Sequence, residues 1–349
     1  MTTLVDSIVH TWPPFVLVIG LLLIGHAAAR EGLFVWIGRQ CARVPGPDLV
    51  VFVVVMVVTA FVTATLNLDT AVVFMTPVAI ETARRRGSDV VVFAYASAMM
   101  VNVASTPLLG SNLTNLLVAG PEGITGSALS RAMALPWGAS VLLTVALTGA
   151  WRVRQLTRRS PRSLDEAAPL RVGLGVVATV GALAAVVLLA QPALVVLALG
   201  LIVEIVDSWG RGRMQWREIV GVVNPALLAP LFTLAVMVGW LGRVWSTPAH
   251  WLDHASVVQT VAATSLGSVV LNNLPAASLV AGHHVAHPLA AILGLDLGPN
   301  LFVTGALSSL LWWRIARANG VNVSLARFSL LGVITGVSTL VLATSLLGR

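Results

Sequence analysis

Long apolar runs interrupted by short polar phrases set the pattern of this chain. A helix needs about 20 apolar residues to cross a bilayer. Leu49–Leu66 nearly supplies them before LNLDTA (Leu66–Ala71) places Asn67, Asp69 and Thr70 inside apolar sequence. LNNLPAA (Leu271–Ala277) answers LNLDTA, and GPNLFVTG (Gly298–Gly305) answers GSNLTNLL (Gly110–Leu117), in the same order. A carboxylate in hydrocarbon is costly and by default marks an ion or substrate path. Two polar breaks in each half, matched in order, point to a transporter with repeated halves and a site between them.

The pattern predicts membrane helices over Trp12–Ala28, Leu49–Leu66, Thr70–Thr82, Val90–Leu109 and Leu135–Trp151 in the first half. In the second it predicts Val172–Ala190, Pro192–Val206, Val220–Leu241, Ser256–Leu271, Leu289–Leu297 and Phe328–Leu347. GLFVWIGRQCAR reads as an amphipathic surface stretch, and LLVAGPEGITGSALSRAM as a loop or re-entrant connection. The expected fold is an all-α polytopic membrane protein, with about 10 transmembrane helices plus broken or re-entrant segments in two inverted-topology repeats. Residues 1–151 form the first repeat, 152–171 an Arg-rich linker, and 172–349 the second half with the second repeat.

Composition agrees. Only 10% of the residues are charged, against about 25% in a soluble domain, so most of the chain lies in lipid. The net charge of +7 does not indicate nucleic acid, because all 21 basic residues are Arg and they cluster between the apolar runs. That is the distribution of cytoplasmic loops. Six Arg between Trp151 and Val172 then place the central loop inside and both termini outside, with Leu49–Leu66 and Ser256–Leu271 running in opposite directions. The location is a cell membrane, plasma or inner, crossed many times. Met1–His10 has no Arg or Lys, so no signal peptide is expected. Cys41 is the lone cysteine, which excludes internal disulfides and thiol metal clusters; between Arg39 and Arg43 it reads as a loop residue.

A helix broken in mid-membrane exposes N-terminal ends that suit anions, and unwound carbonyls that suit cations. Gly110, Pro107, Gly298 and Pro299 supply the breaks. Ser111, Asn112, Thr114, Asn115, Asn272, Asn273, Asn300 and Thr304 are the substrate-binding candidates. Asp69, with Asn67, is the ion-coupling candidate; Leu274 stands near its place in the second half. The plainer alternative makes the Asn, Ser and Thr interhelical glue and Asp69 a buried group that fixes the fold. No Arg falls at the breaks, which favours a neutral or small solute. Pairing Asn112 with Asn300 leaves unequal spacings, 45 residues from Asn67 (112 − 67) but 28 from Asn272 (300 − 272), so either an element of the second half is shortened or the pairing is wrong there.

Other charged groups read as local ties. Glu81 has Arg84 and Arg85 at helical spacing, and Glu204 and Asp207 lie near Arg211 as a surface ion pair. HHVAH (His283, His284, His287) has no carboxylate or Cys close by in sequence, whereas catalytic zinc wants three protein ligands and a water. These histidines read as an interfacial or pathway cluster, and neither metal, cofactor nor enzymatic activity is expected. The contrary reading, an intramembrane metalloenzyme using HHVAH with Asp253 or Asp296, requires stoichiometric metal.

At LNLDTAVVFMTPV, STPLLGSNLTNLLVAG, LNNLPAASLVAG and GPNLFVTGALSSLLWWRIARANGVNVS the chain resembles the ion transporter superfamily, most closely its arsenite/antimonite permease branch. These phrases fall in matching order along the chain. The resemblance implies an inverted-repeat carrier that exports trivalent arsenic or antimony in exchange for protons. It places Ser111, Asn112, Thr114, Asn115, Asn300 and Thr304 around substrate, and Asp69 at the coupling step. The superfamily also holds sodium/proton antiporters and sodium-coupled dicarboxylate or sulfate carriers, so a sodium- or proton-coupled carrier of another small anion is the alternative. The implied partners are a small inorganic solute or anion, a coupling proton or sodium ion and the lipid bilayer; monomer and homodimer both stay open.

Overall fold

The computed structural model describes residues 4–157, 172–189, 191–210, 216–245, 247–281 and 284–348, and every regular element among them is helical. The first half contains α1 (Leu4–Arg30), α2 (Leu33–Arg43), α3 (Asp48–Leu66), α4 (Leu68–Arg85), α5 (Val90–Ala104), α6 (Leu113–Ala119), α7 (Gly126–Trp151) and α8 (Val153–Leu156). Then follow α9 (Leu174–Leu188), α10 (Ala193–Gly210), α11 (Trp216–Val223), α12 (Pro225–Val244) and α13 (Thr247–His254). The chain closes with α14 (Val257–Leu271), α15 (Asn273–Val280), α16 (Pro288–Leu297), α17 (Leu307–Ala318) and α18 (Leu325–Leu346).

Among the described residues five stretches are long and apolar enough to cross a bilayer: Leu4–Arg30, Asp48–Leu66, Gly126–Trp151, Trp216–Gly242 and Leu325–Leu346. Val90–Ala104, Leu174–Ala185 and Val257–Leu271 are shorter apolar helices. Leu142, Val180, Val270 and Val341 are exposed, as befits side chains facing lipid rather than water. Trp216–Gly242 is not one continuous helix. Asn224, in the left-handed region (φ 48°), divides it, and Pro225 opens the second part.

Two breaks are made the same way, each by a single asparagine. Asn67 (φ 84°, ψ 150°) ends α3 and starts α4; Asn272 (φ 77°, ψ 148°) ends α14 and starts α15. That backbone region is nearly reserved for glycine and costs a side chain about 1–3 kcal/mol, so other contacts must hold it. Both asparagines use the same ones. Each Oδ1 accepts from the backbone N–H two residues on, Asp69 at 2.8 Å and Leu274 at 3.4 Å. Each Nδ2 donates to a carbonyl in the other broken segment of its half, Gly110 at 3.3 Å and Thr304 at 3.3 Å.

These bonds correct the pairing of GSNLTNLL with GPNLFVTG. Gly110 corresponds to Thr304, and the extended residue before α6, Asn112 (φ −147°), to the one before α17, Ala306 (φ −145°). Asn300 therefore does not match Asn112. The spacing from Asn272 becomes 34 (306 − 272) against 45, a difference of 11. Helix α4 has 18 residues and α15 has 8, so that pair accounts for 10 of them.

Close backbone contact fixes the interior. A Cβ on Gly20 would lie 2.6 Å from the Leu197 nitrogen, so α1 and α10 touch backbone to backbone. This brings Arg30 to Glu204 at 2.8 Å and to Asp207. Glu204 is buried rather than at the surface and pairs with α1; its expected partner Arg211 lies outside the described residues. Likewise a Cβ at Gly332 would overlap the Asn300 carbonyl oxygen, backbone that cannot swing away. Gly332→Ala is expected to destabilise the protein by about 1–3 kcal/mol, read as a lower unfolding midpoint in detergent. An unchanged midpoint would contradict the packing of α18 on residues 298–300.

Other expectations shift. α1 begins at Leu4 and runs through Pro13, rather than starting at Trp12. The Gly- and Pro-rich stretch after α6 is a turn followed by the first part of α7, nine residues ahead of Leu135 (135 − 126). Thr125 caps it by accepting from the Ala128 N–H, and Leu129 and Met133 are buried; cap and packing outweigh poor propensity. Cys41 is no loop residue but lies on the buried face of α2, with Phe34 and Gly38. Glu81 pairs with Arg85 as expected, at 2.8 Å. Arg158, Arg159, Arg162 and Arg171 of the central loop, with Arg213 and His283, lie outside the described residues.

Candidate functional site

The breaks converge. Helices α4, α15 and α17 all begin at one small cleft of about 20 Å³, walled by Leu68, Asp69, Asn272, Asn273, Leu274, Ala306 and Leu307. Asn112, the cap of α6, joins them, and Phe15, Leu113, Leu228 and Leu231 complete the wall. The space is about that of one water. Asparagine side chains cap α4, α6 and α15, but Ala306 leaves the first amides of α17 without a side-chain acceptor.

A second, larger cavity of about 500 Å³ shares Asp69, Leu228 and Leu307 with the cleft. Its remaining polar wall groups are His26, Asn224 and Arg314, among apolar neighbours such as Val18, Leu22, Val73 and Phe74. Leu307, Leu311, Arg314, Ile315 and Ala318 all face it, the stripe that helical periodicity gives one side of α17. Arg314 is the correction with the largest functional weight. The sequence puts it in WWRIAR, outside the breaks, but the helix carries it onto the cavity wall that begins at a break. His26 lies 3.0 Å from Arg30, which ties it to the acidic cluster of Glu204, Asp207 and Glu218.

Asp69 faces both spaces, and among the described residues no protein donor reaches its carboxylate; only its backbone N–H is engaged. Behind the cleft lies a second carboxylate, Asp296 of α16, only 1% exposed. Its Oδ1 accepts from Asn112 Nδ2 at 2.8 Å and from the Thr114 hydroxyl, while Oδ2 has no partner among the described residues. Asn112 also donates to Ser105 Oγ at 3.1 Å, and Ser105 donates to the Asn102 carbonyl. Asn102 in turn gives its Nδ2 to Asn300 Oδ1 at 2.8 Å and accepts from Ser308. One buried polar chain thus joins the two halves.

The expected site residues divide into those at the cleft and those behind it. Asn112, Asn272 and Asn273 line the cleft with Asp69. Asn67 shapes the break from behind. Thr114 holds Asp296; Ser111 donates to the Ser105 and Leu108 carbonyls, and Asn115 Nδ2 to the same two. Asn300 has both amide atoms engaged, with Met99 and Asn102, and Thr304 donates to Val269. The HHVAH histidines do have a carboxylate nearby in space. Glu122 accepts from the Val285 N–H at 2.9 Å and lies 2.8 Å from His284 Nδ1, tying a loop. No group of three metal-ligating side chains occurs among the described residues.

Broken helices around a shared polar cleft, within an apolar helical frame, define a multi-pass membrane transporter. The chain belongs to the citrate transporter family, whose model matches residues 2–305. It is 23% identical to a 46 kDa membrane protein of Mycobacterium leprae, over 95% of this chain and 85% of that one. It is 27% identical to an uncharacterized transporter of Mycobacterium tuberculosis, over 94% and 83%. In fold it is similar to the crystal structure of the YdaH transporter of Alcanivorax borkumensis, with a TM-score of 0.58, 16% identity, and 99% of this chain and 87% of that one covered. A carrier family is thereby shown; the arsenite branch rests on motif resemblance alone.

Proposed function

We propose that this protein is a coupled secondary carrier of a small carboxylate-bearing anion, in which Asp69 ties cargo movement to a proton or cation gradient. The carrying observation is the placement of Arg314 and Asp69 on one cavity wall that runs into the open N-terminal end of α17. A guanidinium and free helix amides favour an anion. A carboxylate lining the same cavity opposes it until a bound cation neutralises the carboxylate, and that opposition couples the two. The volume of about 500 Å³ falls within the usual range of ligand pockets, about 300–1,000 Å³. The matched breaks support two inverted halves, residues 1–151 and 172–349, moving about this site.

The absence of an Arg from the breaks favours a neutral or small solute over a charged anion, and Arg314 on the cavity wall removes that argument. The test is flux into sealed vesicles with citrate, a dicarboxylate, sulfate and arsenite, each under imposed proton and sodium gradients. Gradient-dependent uptake of a carboxylate is the expected result; movement of arsenite alone would overturn the proposal. Arg314→Gln removes a charged partner worth about 1.5–3 kcal/mol, so the half-saturating anion concentration should rise about 10- to 150-fold. An unchanged value would exclude Arg314 from anion binding.

A further inference from the structure

Asp296 is the one carboxylate of the buried network, and its surroundings leave it without a fixed counter-charge. The elements packed on α16 are α14, α6, α18, α15, α5 and the turn Gly298–Asn300. Their titratable or charged side chains are Arg327 on α18 and Tyr95 on α5. Arg327 is exposed in the first turn of α18, and the Tyr95 hydroxyl is bound to the Ser324 backbone at that same end. On the other side His287 precedes the first residue of α16, nine residues before Asp296 (296 − 287). An ionised carboxylate so placed, 1% exposed with a bare Oδ2, is among the costliest groups a protein interior can hold.

The neighbours also say which positive charge fits. Asn112 Oδ1 accepts from the Thr114 N–H at 3.4 Å, which fixes the amide so that its Nδ2 faces Asp296. The Thr114 hydroxyl turns its hydrogen the same way. Asp296 thus meets hydrogens, whereas a sodium ion would want several oxygens aimed at one point. We propose that Asp296 is a second ion site of the carrier, separate from Asp69, that takes up and releases a proton on Oδ2, and that Asn112 carries its state to the cargo cleft. The step is a simple acid–base exchange. A proton from water binds the Oδ2 lone pair and later returns to water, while Asn112 and Thr114 keep donating to Oδ1. Asn112 is the only residue that both bonds Asp296 and lines the cleft among those described.

This proposal rests on the carrier reading, but its first readout does not need cargo. In infrared difference spectra of the reconstituted protein, a carboxylic C=O stretch should appear as pH is lowered. It should persist in Asp69→Asn, vanish in Asp296→Asn and move in frequency in Asp296→Glu. Asp296→Asn keeps an oxygen to accept from Asn112 and Thr114; if it fails to fold, the frequency shift in Asp296→Glu decides alone. A band unaltered by either substitution overturns the proposal, as does one that sodium removes at constant pH. An Asp296 band without carboxylate flux would sink the cargo reading and leave the proton site standing. Flux without the band would do the reverse.

Discussion

Asp69→Asn should still bind cargo and exchange it down a concentration gradient, yet no longer concentrate it against one. The amide keeps the shape and hydrogen-bonding capacity of a neutral carboxyl but can neither gain nor lose a proton, and it holds a cation weakly. Asp69 stands at the junction of the cleft and the cavity with no protein partner for its carboxylate among the described residues, so the change should disturb packing little. Uphill accumulation should fall to the level of empty vesicles, while equilibrium exchange of labelled anion continues. By linkage, the anion and the coupling ion must each raise the affinity for the other by the same factor. That factor should collapse to one in the variant. Undiminished gradient-driven accumulation by Asp69→Asn would remove Asp69 from the mechanism.

Asn112→Ala should lose most transport while the protein still folds. The second half supplies the precedent: at the equivalent point of the other break the chain carries Ala306, with the same extended backbone. Alanine therefore fits the turn. What disappears is the cap of α6, worth about 0.5–2 kcal/mol, and the amide that joins the cleft to Ser105 and Asp296. A buried group deprived of its partner costs about 1–3 kcal/mol, which corresponds to about a 5- to 150-fold loss of affinity. Initial uptake rates over a range of cargo concentrations, normalised to folded protein in the membrane, measure it. A normal rate would make Asn112 a packing residue.

The broken-helix plan could be read from Asn67 and Asn272 because they interrupt apolar runs at matched points of the two halves. The register of the second pair of breaks could not. GPNL and GSNL look alike, and the lost residues fall inside an ordinary helix, α15, so nothing in the local sequence marks them. Asp296 was visible as a carboxylate in LGLDLGPN, but its weight depends on Thr114, 182 residues away. Arg314 stands in WWRIAR, beyond the breaks in sequence. Only its helical phase with Leu307 and Leu311 turns it towards the cavity.

The distances along the chain between bonded partners also bear on how such a protein is made. Asn67 reaches Gly110 over 43 residues and Asn272 reaches Thr304 over 32, each within its own half. Asn112 and Asp296 are separated by 184 residues, and Asn102 and Asn300 by 198. As the chain leaves the ribosome, each strained asparagine can find its partner within the next few helices, which matters where lipid offers no water to satisfy a polar group. The bonds that join the two pairs of breaks to each other close after them. Biogenesis then reduces to two self-sealing hairpin pairs and one late clasp, and the clasp contains the residues expected to work during transport.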